Sequence, residues 1–240
     1  MPKLKIRNVT VLLISALIWI AVTYLYGRSI WYPVYNKLRG RKTVKSVVKK
    51  YEVDVKKRLE ISFKKINLNS FPQNLTFIIL KKERKLEVWT SVGEKNIFIK
   101  DYPMTAFSGK LGPKLQEGDR QIPEGIYKII FLNPNSSYHL SMRVNYPNIF
   151  DKKMAKRECR TDLGGDIMIH GKAVTIGCIP VGDSTIEELF VMASKVGLKN
   201  ITVLISPQDF RINSKIMPNK RQWVNALYGL LKSKLKNYKR

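Results

Sequence analysis

A histidine and a cysteine eight residues apart offer the most specific chemistry in this sequence. They are His170 and Cys178, which lie in the segment IHGKAVTIGC (169–178), and the chain contains two residues of each type. A cysteine reacts as a thiolate, and a nearby imidazole is the usual means of forming a thiolate at neutral pH. The pair therefore indicates a site for acyl transfer.

The glycine before the cysteine suits the same chemistry. Gly177 carries no side chain that would block an acyl group, and the amides of Gly177 and Cys178 are the predicted oxyanion donors. Four alternatives stay open at this point. Cys178 could be a small core residue, His170 a structural group, or Cys159 and Cys178 a disulfide pair. A zinc site formed with His139 would lack closely paired ligands.

Strand patterns after residue 71 predict the elements that would carry this pair. The runs LTFIILK and KLEVWT flank a polar turn at 82–84, which is the pattern of a β-hairpin. Ser184 opens a segment of capping-box form, which predicts a helix. Together these patterns indicate a β-rich α+β domain. Further strands are predicted over 96–100, 104–107, 125–132, 138–144, 166–170 and 201–205.

The positive charge of the chain is concentrated at its two ends. The formal net charge is +26, yet residues 71–206 carry 19 Lys/Arg against 14 Asp/Glu. Residues 1–70 carry 16 against 3, and residues 207–240 carry 9 against 1. A nearly balanced central domain argues against a nucleic-acid-binding surface, so no nucleic-acid partner is expected. Basic ends fit better beside a membrane or an anionic wall polymer.

The uncharged, apolar run near the N-terminus is long enough for a bilayer, since twenty helical residues span about 30 Å. An uncleaved anchor is favoured over a signal peptide because residues 23–26 (TYLY) are too bulky for a cleavage site. We divide the chain into a basic tail (1–8), a transmembrane anchor or signal (9–27), a basic helical stalk (28–70), the domain with the cysteine (71–206), and a C-terminal amphipathic basic helix (207–240).

An ordered set of motifs over about 71–206 resembles a known family. The motifs are IMIHG (167–171), TIGC (175–178), LEVW (86–89), FSGK (107–110), GPK (112–114), PEGIY (123–127), YHLS (138–141), NYP (145–147) and Arg160-Thr161 before Gly164-Gly165. They resemble the L,D-transpeptidase catalytic domain of YkuD type, and more narrowly the YafK-like murein L,D-transpeptidases. The resemblance implies a mixed β-sandwich or partial barrel with flanking helices, preceded here by one transmembrane helix.

The resemblance implies a cysteine acyltransferase that acts on peptidoglycan stem peptides in cell wall biogenesis. Cys178 would be the nucleophile and His170 the general base. The thioester would form at the L-centre of the diamino acid and be resolved by an amine or by water. One alternative is an L,D-amidase or carboxypeptidase that cleaves peptidoglycan–protein or stem-peptide links. A non-catalytic, membrane-anchored protein that binds wall polymer or nucleic acid is the alternative of another class.

Further expectations follow from the resemblance. The candidates for substrate binding are Tyr138, His139, Arg160, Gly171 and Thr175, and His139 is the second candidate for the base. No cofactor and no metal are expected. The partners would be the stem peptides, the cytoplasmic membrane through the N-terminal helix, and a wall-attached protein. The chain would lie in the bacterial cell envelope as a single-pass protein of the cytoplasmic membrane, with its catalytic domain on the outer, periplasmic face.

Overall fold

The computed structural model describes residues 6–216 and 218–239, so residues 1–5 of the predicted basic tail lie outside it. The chain divides into two compact units, Met1–Lys42 and Thr43–Arg240. The first unit contains the helices α1 (Ile6–Tyr26) and α2 (Arg28–Arg39). The predicted membrane span over 9–27 is not confirmed: within the described ranges, no helix combines the length and the apolar character that crossing a bilayer requires.

The second unit is built on one continuous mixed sheet of eight strands with helices packed on it. The sheet order is β3-β2-β1-β8-β4-β5-β6-β7. The predicted α+β class and partial barrel are confirmed, whereas a two-sheet sandwich is not formed. The elements are α3 (Val44–Lys65), β1 (Leu75–Leu80), β2 (Lys85–Val92), β3 (Lys95–Pro103), β4 (Gly125–Asn133), β5 (Ser141–Val144), α4 (Ile149–Arg157), β6 (Met168–His170), β7 (Ile179–Pro180), α5 (Asp183–Val196), β8 (Ile201–Ser206) and α6 (Gln222–Leu235).

The sheet curls at β4, because this strand changes partners along its length. Residues 125–128 pair with β8, whereas Ile129 and the residues after it pair with β5. The register shifts between Ile129 and Phe131, and a bulge of this kind bends a strand and increases its twist. The sheet therefore has two arms. The first arm comprises β1, β2, β3 and β8, and the second arm comprises β5, β6 and β7.

Alternation along the strands separates two hydrophobic clusters, one on each face of the sheet. In β1, Phe77 and Ile79 join the cluster that includes α3 and α5, whereas Ile78 and Leu80 join the cluster that includes α6. We call the first face the inner face and the second the outer face. All four side chains are buried, as expected for a central strand covered on both faces.

Helix α3 belongs to the second unit, so the structure divides the predicted stalk 28–70 near residue 42. A capping box between Thr43 and Ser46 begins the helix. Its apolar positions recur at helical spacing, and Val55, Leu59 and Phe63 are buried in the inner cluster. The apolar stripe thus serves the core of the second unit.

Helix α6 covers the outer face of the first arm. Its buried positions are Val224, Leu227, Tyr228, Leu231 and Leu235, which keep the spacing of one helical face. Leu230 lies outside this face, since its side chain is 46% exposed. Helix α6 contacts β4 and β8, and the candidate site lies on the same outer face but in the second arm.

Local backbone conformation explains where predicted elements differ from observed ones. The hairpin of β1 and β2 is confirmed. The strand predicted over 138–144 begins only at Ser141, because His139 has a left-handed φ of 74° that a strand does not accommodate. The predicted capping box at Ser184 is not formed, because the helix already begins at Asp183 after Gly182. Segment 104–107 is not a strand, and α4 was not predicted.

Candidate active site

The pairing of β6 with β7 places the predicted nucleophile and base on the same side of the sheet. The two strands are parallel, with Ile169 opposite Ile179 and His170 opposite Pro180. One residue earlier, this register sets Cys178 opposite Met168. Neighbouring residues alternate between faces, so His170 and Cys178 share the outer face, about 8 Å apart between Cα atoms. Ile169 and Ile179 point to the inner cluster.

Backbone hydrogen bonds fix both ends of the segment that connects the two residues. The amide of Val181 donates to the carbonyl of His170 at 2.9 Å, and the amide of Thr105 donates to the carbonyl of Pro180 at 2.9 Å. The Thr105 hydroxyl donates to the carbonyl of Lys172 at 2.7 Å. The Lys172 amide donates to the carboxylate of Asp183 at 2.9 Å. These bonds hold the backbone next to His170 in a fixed position relative to β7.

His170 is held as a neutral imidazole. Its side chain is buried, and Nδ1 lies 2.6 Å from the carbonyl oxygen of Gly171. A carbonyl only accepts hydrogen bonds, so Nδ1 carries the proton and Nε2 presents its lone pair. Burial lowers the pKa of His170 below its ordinary value of 6.5, although the Gly171 carbonyl opposes this. The ring of Tyr138 packs against the imidazole, with 4.8 Å between ring centroids.

Cys178 is held as a thiol at neutral pH. Burial raises its pKa above the ordinary value of 9.0, and the carboxylate of Asp166 raises it further. A hydrogen bond with the Met168 backbone and the charge of Lys114 act in the opposite direction. The sulfur also lies 3.6 Å from the carbonyl oxygen of Asp166. Among the described residues, no hydrogen bond joins Cys178 to His170, so the resting pair is a thiol and a neutral base.

The two predicted oxyanion donors converge on a single oxygen atom. The Thr175 hydroxyl oxygen accepts the amide of Gly177 at 3.2 Å and the amide of Cys178 at 2.8 Å. It donates in turn to the carbonyl of Cys178 at 2.8 Å. Gly177 has a φ of 127°, which side-chain-bearing residues rarely adopt. The turn therefore aims two N–H groups at one point, and the threonine oxygen occupies that point.

His139 lies in a different environment from His170. Its Nε2 is 2.9 Å from a carboxylate oxygen of Glu187, and its ring packs edge-on against Tyr51 of α3. Glu187 also binds Arg58 of α3 at 3.0 Å. These contacts place His139 in a charged cluster between α3 and α5.

Arg160 and Gly171 are placed by contacts within the fold. The guanidinium of Arg160 donates to the carbonyl of Leu115 at 2.7 Å and to Glu158 at 2.8 Å. A Cβ atom on Gly171 would approach the Asp183 carboxylate to 2.6 Å and the Tyr138 carbonyl to 2.7 Å. Gly171 is therefore required for the close packing beside His170, and Arg160 holds the loop before residue 120.

The two cysteines are free, with Cys159 exposed, so the disulfide alternative was wrong. Within 6–216 and 218–239, no group of three or more His, Cys, Asp or Glu side chains is placed to hold a metal ion.

Comparison with known proteins assigns the chain to a family. Residues 66–204, more than half of the chain, match the family model described as YkuD: L,D-transpeptidase catalytic domain. The chain belongs to this family. The match confirms the resemblance that the sequence motifs indicated. We call residues 66–204 the YkuD domain below.

Curated relatives of this chain include a protein named Putative L,D-transpeptidase YafK in Escherichia coli strains K12 and O157:H7. Each is 34% identical to this chain over 114 residues, which make up 47% of this chain and 44% of the relative. The chain thus spans less than half the length of these relatives.

Solved structures with a similar fold include the helical cell shape determining protein Pgp2 of Campylobacter jejuni. It is 25% identical, with a TM-score of 0.48 over 68% of this chain and 56% of that chain. L,D-transpeptidase 1 of Mycobacterium tuberculosis is 14% identical, with a TM-score of 0.33 over 55% of this chain and 62% of that chain. The family assignment rests on the family model and not on these overlays.

Several groups beside the thiol in the YkuD domain were not predicted. They are the Met168 amide, the Asp166 carbonyl and the charges of Lys114 and Asp166, all of which act on Cys178. Arg143 of β5 lies opposite Met168, and its guanidinium binds Asp166 at 2.7 Å. The register of β5 with β6 brings Arg143 here, whereas Lys114 and Asp166 lie in loops. The sequence specifies neither the register between distant strands nor the path of these loops.

A cavity of about 700 Å³ lies elsewhere, between the start of β2, segment 209–214 and the end of α6. Arg211 and Tyr238 are among its lining residues, whereas His170 and Cys178 are not. The candidate chemistry is therefore on the outer face of the second arm and not in this cavity.

Proposed function

We propose that the YkuD domain of this chain is a cysteine acyltransferase that acts on peptidoglycan stem peptides. Cys178 is the nucleophile and His170 is the general base. The observation that carries the proposal is the placement of a thiol and a neutral, buried imidazole on the same face of adjacent strands. Membership of the L,D-transpeptidase family supplies the substrate class.

The first half-reaction forms a thioester. Nε2 of His170 takes the proton of the Cys178 thiol while the sulfur attacks the carbonyl carbon at the L-centre of the diamino acid. The carbonyl becomes an oxyanion. When it reforms, the C–N bond breaks and the leaving amine takes the proton from His170. Hydrogen bonds of this kind are often long before substrate binds, which fits the resting geometry.

The second half-reaction releases the acyl group. An acceptor amine or a water molecule attacks the thioester carbon, and His170 removes its proton. The carbon–sulfur bond breaks, and the sulfur recovers the proton from His170. An amine acceptor gives acyl transfer, whereas water gives cleavage by an L,D-amidase or carboxypeptidase. Both outcomes use the same two side chains, so the acceptor decides the product.

The amides of Gly177 and Cys178 stabilise the oxyanion in this proposal. The two amides already converge on the hydroxyl oxygen of Thr175, and an oxyanion needs such converging donors, which supports this assignment. The threonine hydroxyl must move aside when substrate binds. Tyr138 forms a wall beside the imidazole.

The location of the protein is part of the same proposal. Stem peptides lie outside the cytoplasmic membrane, so the YkuD domain would face that side of a bacterial envelope. Attachment to the cytoplasmic membrane through residues 9–27 stays a prediction. Sodium carbonate extraction of the full chain, followed by protease treatment of intact spheroplasts, tests attachment and orientation together.

Purified muropeptides test the proposed activity. The full chain is incubated with disaccharide tetrapeptide, with and without an added amine acceptor, and the products are resolved by liquid chromatography and mass spectrometry. Loss of the terminal residue, its exchange, or a crosslinked product supports the proposal when Cys178→Ala abolishes it. Unchanged product formation by a folded Cys178→Ala variant would contradict the assignment of Cys178 as the nucleophile. No product from wild type would contradict the proposed activity and favour a protein whose function lies in its basic ends.

A further inference from the structure

The outer face of the second arm carries a row of side chains that leads away from the nucleophile. Phe131 of β4 lies opposite Arg143 of β5, and Arg143 lies opposite Met168 of β6. Met168 in turn neighbours Cys178. Strands are about 4.8 Å apart, so the Cα atoms of Arg143 and Cys178 are separated by about 10 Å. The row is open, since Phe131 is 52% exposed.

An ion pair lies on this row next to the thiol. The guanidinium of Arg143 and the carboxylate of Asp166 are 2.7 Å apart, and their side chains are 43% and 74% exposed. The backbone of Asp166 reaches the thiol, because its carbonyl oxygen lies 3.6 Å from the sulfur. Arg143 also lines a cavity of about 490 Å³ between the bulged part of β4 and the start of α4. A cation and an anion thus lie beside the nucleophile, and open space adjoins the cation.

We propose that Arg143 and Asp166 bind the free amino-acid end of the diamino acid in the stem peptide. This inference rests on the proposed function, which places the reacting carbonyl of that residue at Cys178. A diamino dicarboxylic acid carries an amine and a carboxylate at the far end of its side chain. The guanidinium fork of Arg143 suits the carboxylate, and Asp166 suits the ammonium group.

The dimensions agree with this assignment. Six carbon–carbon bonds of about 1.5 Å separate the two carboxyl carbons of such a diamino acid, which gives about 7 Å in an extended chain. An arginine side chain that starts about 10 Å from Cys178 and already reaches Asp166 covers the remaining distance. Both groups are exposed, and an exposed ion pair contributes little to stability, so exchange of its partners for those of a ligand costs little.

The pair would therefore determine specificity at the third position of the stem. Lysine has a similar chain and an ammonium group, but it lacks the second carboxylate. A site that binds this carboxylate should discriminate against lysine, because Arg143 would then keep only its internal partner. The same reasoning makes Arg143 and Asp166 binding residues.

Competition between two stem peptides tests the proposal. One peptide contains the diamino dicarboxylic acid and the other contains lysine at the same position, and mass spectrometry of the full chain gives the ratio of their kcat/KM values for acylation of Cys178. We expect wild type to favour the first peptide about tenfold or more. Arg143→Gln should lose most of this preference, and Arg143→Lys should restore part of it. Asp166→Asn, which preserves a left-handed backbone, should reduce the preference less.

Arg157→Gln, on the exposed face of α4, is the matched control and should leave the ratio unchanged. Circular dichroism and thermal melting of each variant establish that it is folded. An Arg143→Gln variant with the wild-type ratio would overturn the proposal, as would equal losses on both peptides. If neither peptide acylates Cys178 of wild type, the proposed function itself fails. This outcome is distinct from failure of the binding proposal for Arg143 and Asp166.

Discussion

The two histidines of this chain lie in regions with opposite electrostatics. His170 lies on the outer face of the second arm, buried against Tyr138, and its Nδ1 is bound to a backbone carbonyl. His139 lies between α3 and α5, where the carboxylate of Glu187 faces its Nε2. We call the first region the nucleophile segment (166–180) and the second the charged contact, which comprises Arg58, Lys100, Tyr102, His139, Glu187 and Glu188.

The difference shows how surroundings assign roles to identical side chains. In the nucleophile segment no carboxylate is paired with the imidazole, so burial keeps it neutral and its lone pair is free for proton transfer. In the charged contact, Glu188 is buried and accepts from Lys100 and Tyr102, while Glu187 binds Arg58 and His139. The second region therefore joins α3 to α5 and stabilises the fold.

Exchange of each histidine for glutamine is the strongest test of this comparison. His170→Gln should lower kcat/KM for acylation about 10²–10⁴-fold, because it removes the general base. His139→Gln should change kcat/KM by less than a few fold, since glutamine can still donate to Glu187. Stopped-flow or quenched-flow acylation of both variants provides the measurement. A larger loss in His139→Gln than in His170→Gln would reverse the two assignments.

The pH dependence of kcat/KM in wild type should be the next largest effect. His170 must be neutral to act, and its pKa lies below 6.5, so kcat/KM should fall about tenfold per pH unit on an acid limb centred below pH 6.5. Between that pKa and 6.5 the native state binds fewer protons than the unfolded state. The free energy of unfolding should therefore decrease as pH falls through this range. The decrease should be smaller in His170→Gln than in wild type.

The thiol provides a second pH-dependent readout of the nucleophile segment. Its pKa is raised above 9.0, so alkylation of Cys178 by iodoacetamide without substrate should reach half its maximal rate above pH 9.0. Cys159→Ala is the suitable background for this measurement. A midpoint near neutral pH would show that the resting pair is already a thiolate and an imidazolium.

Arg58→Gln tests the charged contact and has the smallest expected effect. The guanidinium bridges α3 to Glu187 and Glu188, and Glu188 is buried. Loss of one charged partner should lower the free energy of unfolding by about 1–3 kcal/mol, measured by urea denaturation. The kcat/KM of the folded variant should stay within a few fold of wild type. An unchanged stability would show that α3 is held by apolar contacts alone.

Much of the fold could be predicted from the sequence because hydrophobic period is a local property. The hairpin of β1 and β2 followed from the spacing of residues within a short segment. The curl of the sheet did not, because it depends on a change of partners along β4. The start of β5 was also hidden, since the left-handed conformation of His139 is imposed by its surroundings.

For the candidate site, the sequence predicted which residues carry the chemistry but not which groups surround them. His170, Gly177 and Cys178 were singled out because their chemistry and spacing are local. Asp166 lies just before β6, within the nucleophile segment, whereas Arg143 lies on β5. The register of β5 with β6 brings Arg143 to Asp166 beside the thiol. The hydroxyl of Thr175 was expected to contact substrate, whereas in the resting structure it binds the two amides.

Intact-protein mass spectrometry tests the central claim most directly. Wild type, Cys159→Ala and Cys178→Ala are mixed with a stem tetrapeptide and quenched in acid within the first turnover. We predict a mass increase equal to the acyl portion of the peptide in wild type and Cys159→Ala, mapped to Cys178, and none in Cys178→Ala. An adduct on another residue, or turnover by Cys178→Ala, would contradict the assignment of Cys178 as the nucleophile.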